Sequence, residues 1–205
     1  MTAEAPFRLP GVQNARRPAR PLRIPLPETP ELQQLNVKLR PETPDDIPFL
    51  IQLYARSRSA EMLMLDTWDG DMKKDFLEKQ FSYQYLHHSR YYTNADFTVI
   101  TMADRPIGRI YLFWDNDGGR DCRLFEFQLV PTVRNRGIGS ALLSALLRQA
   151  QTLKRSVSLH VEPINGARRL YARFGFLPVG AEAKGGMMMM RWNNGPLEQG
   201  LRLAI

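Results

Sequence analysis

Along the chain the apolar positions change period, and each change marks a new element. Leu35, Val37 and Leu39 alternate with Asn36, Lys38 and Arg40, a two-residue period that predicts a half-buried strand. Ile47, Leu50, Ile51 and Tyr54 follow at helical spacing behind Thr43-Pro44-Asp45-Asp46. Threonine caps a helix, proline fits its first position, and acids suit its first turn. A second helix is predicted from about Asp71 to His88, with Met72, Phe76, Gln80 and Tyr83 as its core-facing stripe. The rest of 59–95 is aromatic and has no clear period. From Asp96 the texture turns to strands at Phe97–Met102, Pro106–Trp114 and Asp121–Val130. Ala103-Asp104-Arg105 and Asn116-Asp117-Gly118-Gly119 supply the turns, so the three strands read as an antiparallel meander.

The second half predicts a helix over Gly137–Leu153, with Ile138, Leu142, Ala145, Leu146 and Gln149 along one side. A short strand at Val157–Val161 and a helix at Asn165–Phe174 follow, the latter ended by Gly175 as C-cap. Phe176–Val179 and Met187–Trp192 close the pattern. The order β-α-α-β-β-β-α-β-α-β-β describes an α+β fold, a mixed and mostly antiparallel sheet with flanking helices.

Residues 1–34 break this texture. Pro6, Pro10, Pro18, Pro21, Pro25, Pro27 and Pro30 alternate with Arg8, Arg16, Arg17, Arg20 and Arg23. Proline removes backbone donors, so the stretch is read as an N-terminal extension without helix or central strand, an extended arm that is solvated or draped over a neighbour. The domain is expected over 35–192, with a C-terminal tail at 193–205.

Composition sets the class. The 205 residues are 43% hydrophobic and 24% charged, values that support a packed core. No apolar run reaches the roughly 20 residues of a membrane span, and no secretory leader is visible, so no membrane partner is expected. The single cysteine, Cys122, makes no internal disulfide and no cysteine metal cluster; a cytoplasmic setting is expected, with Cys122 a semi-buried strand thiol. His87 and His88 are adjacent and diverge on a helix, which suits surface histidines and not a metal pair. The net charge of +7 favours polyanions such as a phosphorylated cofactor, or serves solubility alone. Nucleic acid is set aside as a partner of the basic arm.

The chemistry concentrates in Phe125–Ser140. A strand ends near Val130 and a helix opens at Gly137. Helix starts leave about four N–H groups without internal partners and carry about half a positive charge, a ready anion site. Gly137 and Gly139 let a diphosphate approach the backbone, and Arg134 and Arg136 add charge. A P-loop is excluded because no Gly-Lys-Ser/Thr follows, and the dinucleotide fingerprint because its third glycine is missing. An ordinary two-glycine helix start is the competing reading.

Two motifs bear on that choice. Arg134-Asn135-Arg136-Gly137-Ile138-Gly139 resembles the R/Q-x-x-G-x-G/A signature of the GNAT superfamily of acyl-CoA-dependent N-acetyltransferases. Asn165, followed by Ala167-Arg168-Arg169-Leu170-Tyr171-Ala172-Arg173-Phe174-Gly175-Phe176, is similar to the family's asparagine and A-x-x-L-Y-x-x-x-G-F element. The resemblance is strong over 122–192, loose over 35–121 and absent over 1–34.

The resemblance implies a GNAT-type acyltransferase fold and acetyl-CoA as cosubstrate, with no metal. The backbone of Leu129 and Val130 would pair with pantetheine, on a strand splayed from its neighbour, and N–H groups near Leu129 would stabilise an oxyanion. The turn Arg134, Asn135, Arg136, Gly137, Ile138 and Gly139, with Ser140, would hold the diphosphate. Asn165 would bond pantetheine, cap its helix, or both, and Arg168 would complete the cofactor set. Tyr171 matches the family's general acid, a phenol with a reference pKa of about 10 that is protonated at neutral pH; a packed aromatic is its alternative. Glu126 is the candidate base. Strict alternation puts it on one face with Leu124, Gln128 and Val130, opposite Phe125, Phe127 and Leu129, and apolar surroundings raise a carboxylate's proton affinity. An ion pair with Arg109 or Arg123 is the equal rival. The implied reaction is direct transfer to a primary amine in a ternary complex; a catalytically silent acyl-CoA sensor is the alternative. The acceptor is unidentified, with its pocket expected among 55–95, Trp114 and alternate methionines of Met187–Met190, and a homodimer is carried as a further partner.

Overall fold

The computed structural model describes residues 17, 19–180 and 186–195; the expectations for 1–16 and for the tail past 195 lie outside them. The described residues form two compact units, one built on Pro41–Thr93 and the other on Leu22–Arg40 with Asn94 onward.

The proline-rich stretch holds a helix after all, α1 (Pro30–Gln34). Thr29 Oγ1 accepts the Leu32 N–H at 3.4 Å, Glu31 sits in the first turn, and Leu32 is buried. Proline at the first helical position lacks only a donor that would be unpaired anyway. Part of the supposed solvated arm is also tied down. The N–H groups of Arg23 and Ile24 donate to the two carboxylate oxygens of Asp96 at 2.6 and 3.1 Å, and the Arg23 guanidinium reaches Asp115 at 2.6 Å. Burial raises the Asp96 carboxyl's affinity for a proton, with the two amides acting against it. Asn36 turns the chain at φ +53°, so strand β1 (Val37–Pro41) starts two residues later than the alternation suggested.

In the helical unit, Thr43 donates its N–H and its hydroxyl to Asp46 Oδ2 at 2.8 and 3.0 Å, closing the expected cap before α2 (Ile47–Ser57). A short α3 (Ser59–Leu63) precedes α4 (Gly70–Tyr91), which Asp69 caps through the Met72 N–H at 2.8 Å. Ile47, Leu50, Ile51 and Tyr54 pack with Phe81 and Tyr85, and Leu77 joins them. The predicted stripe on α4 is therefore wrong: Met72 and Tyr83 are exposed, and the buried line is Phe81, Tyr85 and His88. Apolar residues occur on several faces of α4, and α2 selects the face that is buried. His88 is thus not a surface histidine. Arg17 Nη2 pairs with Glu42 at 2.7 Å, and its guanidinium carbon lies 4.0 Å from the Tyr85 ring centroid.

The other unit carries the seven-stranded mixed sheet, ordered β1-β2-β3-β4-β5-β7-β6. Its further strands are β2 (Asp96–Met102), β3 (Arg105–Asn116), β4 (Asp121–Leu129), β5 (Ser156–Val161), β6 (Leu177–Pro178) and β7 (Met188–Trp192). The meander β2-β3-β4 is antiparallel, as expected. Helix α5 (Ile138–Thr152) crosses over to set β5 parallel to β4. Helix α6 (Ala167–Arg173) then leads to β6 and β7, both antiparallel to their neighbours. Residues Ala141–Leu147 of α5 are all buried, so the helix is enclosed well beyond one side.

Two local features shape β4. Tyr111 pairs with Glu126 but Leu112 pairs with Leu124, which leaves Phe125 as the extra residue of a bulge. The bulge resets the alternation: Glu126 shares a face with Tyr111 and Leu124 shares the opposite face with Leu112. The Phe125 ring, expected opposite Glu126, packs 5.7 Å from Tyr111. Across from Leu129 stands Gly108, where a Cβ would fall 2.3 Å from the Gln128 carbonyl oxygen. Only glycine lets the two strands approach so closely at this point.

Candidate functional site

β4 and β5 run side by side only over Asp121–Leu124 and Ser156–Leu159. Asp121, fully buried, holds that end closed by accepting from Asn116 Nδ2, Ser156 Oγ at 2.6 Å and Ser158 Oγ. From Phe125 onward β4 stays paired with β3 as far as Leu129 but has no partner on β5. Past Leu124 this edge of β4 is not laddered to β5, an arrangement in which an extended ligand can pair as a further strand.

The open edge leads into the turn. Pro131–Val133 forms a 3-10 turn, Asn135 takes φ +59° and Gly137 φ +80°, a conformation that glycine adopts without strain. The Ala141 N–H makes a helical bond to the Gly137 carbonyl at 2.9 Å, so the amides before it face out of the helix start. No side chain caps this start and no acid lies in the first turn, which leaves its partial positive charge uncompensated. Arg134, Asn135, Arg136 and Gly137 are exposed, Gly139 and Ser140 half-buried, and Ile138 anchors the helix in the core.

The predicted ligands divide. Arg134 turns back, its Nε donating to the Leu129 carbonyl at 2.9 Å. The Val130 N–H donates to the Ile107 carbonyl at 2.8 Å, and the Val130 carbonyl accepts from the Val133 N–H. Asn165 Oδ1 accepts the Ala167 N–H at 2.9 Å, which is the helix-ordering role. Arg168 Nη1 donates to the Pro163 carbonyl at 2.5 Å, within its own loop.

Tyr171 is buried on α6, with its ring 5.7 Å from Phe176. Burial first, then the negative charge of Glu126, push its phenol up to about 12. It stays protonated at neutral pH, and Glu126 is close enough for its charge to be felt. Arg109 is the partner that Glu126 finds, with Nη2 to Oε2 at 2.9 Å and side chains only 2% and 11% exposed. Arg123 instead reaches Ser158 Oγ at 3.4 Å. Cys122 is fully buried and its thiol is pushed well up by burial and by Asp121, so it is no nucleophile. Trp114, expected to line an acceptor pocket, is fully buried, and Met190 nearly so. Among the described residues no group of three or more His, Cys, Asp or Glu is placed to hold a metal ion.

The chain matches the family model described as Acetyltransferase (GNAT) family over residues 54–176, more than half its length. It belongs to the GNAT acetyltransferase family. As a GNAT member it is an acyl-CoA-dependent acyltransferase with acetyl-CoA as cosubstrate. No curated protein matches it. Among solved structures, this GNAT chain resembles a PaiA N-acetyltransferase from Thermoplasma acidophilum in complex with coenzyme A, at 18% identity and TM-score 0.56, covering 76% of this chain and 97% of that one. It also resembles a spermidine N-acetyltransferase from Vibrio cholerae in complex with CoA and spermine, at 19% identity and TM-score 0.56, covering 81% and 98%. These likenesses are of fold. No described helix is long and apolar enough to cross a membrane.

What sequence reasoning missed was the bulge at Phe125 and the identity of the α6 cation nearest the turn. Arg173 Nη2 lies 3.4 Å from Ser140 Oγ, a position that a helix of uncertain facing did not reveal.

Proposed function

We propose that the chain moves an acetyl group from acetyl-CoA to a primary amine by direct attack in a ternary complex. The feature that carries this reading is Tyr171, buried on α6, whose phenol is pushed up by burial and by the charge of Glu126. The residues present suit the cosubstrate. The outward amides of Gly137, Ile138, Gly139 and Ser140 take the diphosphate, Arg134, Asn135 and Arg136 border it, and the open edge at Leu129 takes pantetheine. Val130 supports that edge through Ile107, Asn165 orders the start of α6, and Arg168 braces the loop before it.

In the transfer, the acceptor nitrogen bonds to the thioester carbon and the C–S bond breaks. The departing thiolate takes the Tyr171 phenolic proton. The acceptor ammonium first gives a proton to Glu126, directly or through water, so that a neutral amine attacks, and the second N–H proton, lost as the amide forms, restores the Tyr171 phenol. Arg109 orients that carboxylate. The same ion pair favours a second reading, a silent acyl-CoA sensor, because it commits the Glu126 carboxylate to Arg109.

Release of free thiol from acetyl-CoA with a panel of amines separates the two. A chain of net charge +7 repels polyamines at a distance, so the panel sets spermidine against amines that carry a carboxylate, such as amino acids and peptide N-termini. The enzyme reading expects turnover with at least one amine, and Tyr171→Phe to lose it about 100-fold while still binding coenzyme A. Binding without turnover on any amine leaves the sensor. We also propose 35–192 as the catalytic domain, with the segment from Leu22 tied onto it through Asp96, and a cytoplasmic setting, the latter on the single buried thiol.

A further inference from the structure

We propose that Gln128 binds the acceptor amine, and selects primary over secondary amines, by holding the one N–H that the transfer leaves in place. The inference rests on the acetyl-transfer reading above and adds a residue which that reading leaves out. The ladder between β3 and β4 runs unbroken from Tyr111–Glu126 through Ile110–Phe127 and Arg109–Gln128 to Gly108–Leu129. Alternation therefore holds over this stretch, and Gln128 projects from the same face of β4 as Glu126. Their Cα atoms stand about 7 Å apart along the strand. One nitrogen can reach both side chains at about 2.9 Å each when they lean together. Gln128 is half-buried, and its Oε1, shut off from solvent, has no hydrogen-bond partner among the described residues. Arg109, which stands across the ladder from it, gives Nη2 to Glu126. A buried acceptor without a donor weakens the fold until a ligand supplies one.

Counting protons shows what that donor would be. The ammonium of a primary amine carries three N–H groups. One proton passes to Glu126 and frees the lone pair that forms the N–C bond. A second is lost as the C–S bond breaks and the amide forms, and it restores the phenol that protonated the thiolate. The third stays on the amide nitrogen of the product. It needs a neighbour that accepts a hydrogen bond and takes no proton, and a carboxamide oxygen is such a group. A carboxylate in its place would favour the charged ammonium, which has no lone pair to attack with. A secondary amine gives up both its N–H protons in the same sequence and leaves Oε1 unpaired. A site built to bond an N–H rejects the analogue that lacks it for this reason.

Two variants of similar size that lack the acceptor, Gln128→Met and Gln128→Leu, test it in the full chain. Without any substrate, at least one is expected to melt about 2–4 °C above wild type, because the orphaned oxygen is gone. Both melting at or below wild type would mean that Oε1 already has a donor in the fold, and overturns the proposal. Thiol release from acetyl-CoA is then followed with spermidine, glycine and triglycine, and with the N-methylated form of each that is turned over. The variants are expected to raise the amine KM about ten-fold and to leave the acetyl-CoA KM unchanged. Wild type is expected to prefer the primary amine to its N-methylated form by about ten-fold or more, a preference that the variants lose. An unchanged amine KM and preference overturn the role of Gln128 while the acetyl-transfer reading stands. Turnover of no amine by wild type overturns that reading and this inference together.

Discussion

The turn at Arg134–Gly139 and the segment that links α3 to α4 are both exposed, but for different reasons. The turn exposes backbone donors and guanidinium groups, with φ fixed at Asn135 and Gly137 and the helix behind it anchored by Ile138. The segment exposes hydrocarbon: Leu63 is 81% and Met64 82% exposed, and Met72 is nearly half exposed. Around the turn, strands and helices leave little freedom. Around the segment, a T-shaped contact between Trp68 and Phe76 at 5.4 Å is the main ring packing. The first surface holds polar donors at fixed positions. The second presents apolar side chains without fixing what they meet.

Substitutions on the two sides should separate accordingly. The largest effect is expected at Gly108→Val, whose side chain collides with the Gln128 carbonyl. A loss of about 4 kcal/mol or more in urea unfolding is expected, and near-native stability would show that β3 and β4 do not hold the splayed edge rigidly. Arg109→Met removes one half of a buried ion pair with Glu126. It should lower stability by about 3 kcal/mol, with melting restored in the double variant that also changes Glu126 to Gln.

Next in size is a pH effect confined to Tyr171. Its phenol, near 10 when unfolded, is pushed up to about 12 in the fold. Below pH 10 both states hold the proton and stability is unaffected. Between about 10 and 12 the unfolded chain loses its proton while the folded chain keeps it, so stability falls. Wild type should lose up to about 1.4 kcal/mol per pH unit more than Tyr171→Phe in that window; parallel curves would mean that the phenol is not buried beside Glu126. The smallest effect belongs to the helical side. Leu63→Ser with Met64→Ser should change stability by less than about 0.5 kcal/mol, and a larger loss in thermal melts would reveal packing there.

The same contrast explains what could be read in advance. The α5 start was legible because glycine spacing and the absence of acids act locally. Strands β2 to β7 were legible from alternation and turn residues, to within a residue or two. The α4 face was not, because Met72, Phe76, Leu77, Phe81, Tyr83 and Tyr85 offer several stripes and the choice lies with α2. The bulge at Phe125 escaped because alternation assumes one residue per pair, and nothing in Leu-Phe-Glu-Phe-Gln marks a doubled one. Helix α1 could have been found: Thr29-Pro30-Glu31 repeats the signature at Thr43-Pro44-Asp45, but the surrounding prolines hid it. The motif pointed to Tyr171 and the turn as candidates, whereas the partner of Glu126 depended on which strands are neighbours.

The tether between Asp96 and the amides of Arg23 and Ile24 bears on where the gene can be cut. A fragment opened at Leu35, where sequence alone would begin the domain, would leave a buried acid at the head of β2 bereft of both donors. Expression clones should start upstream of Leu22, and a shortened version that is insoluble would say nothing about catalysis.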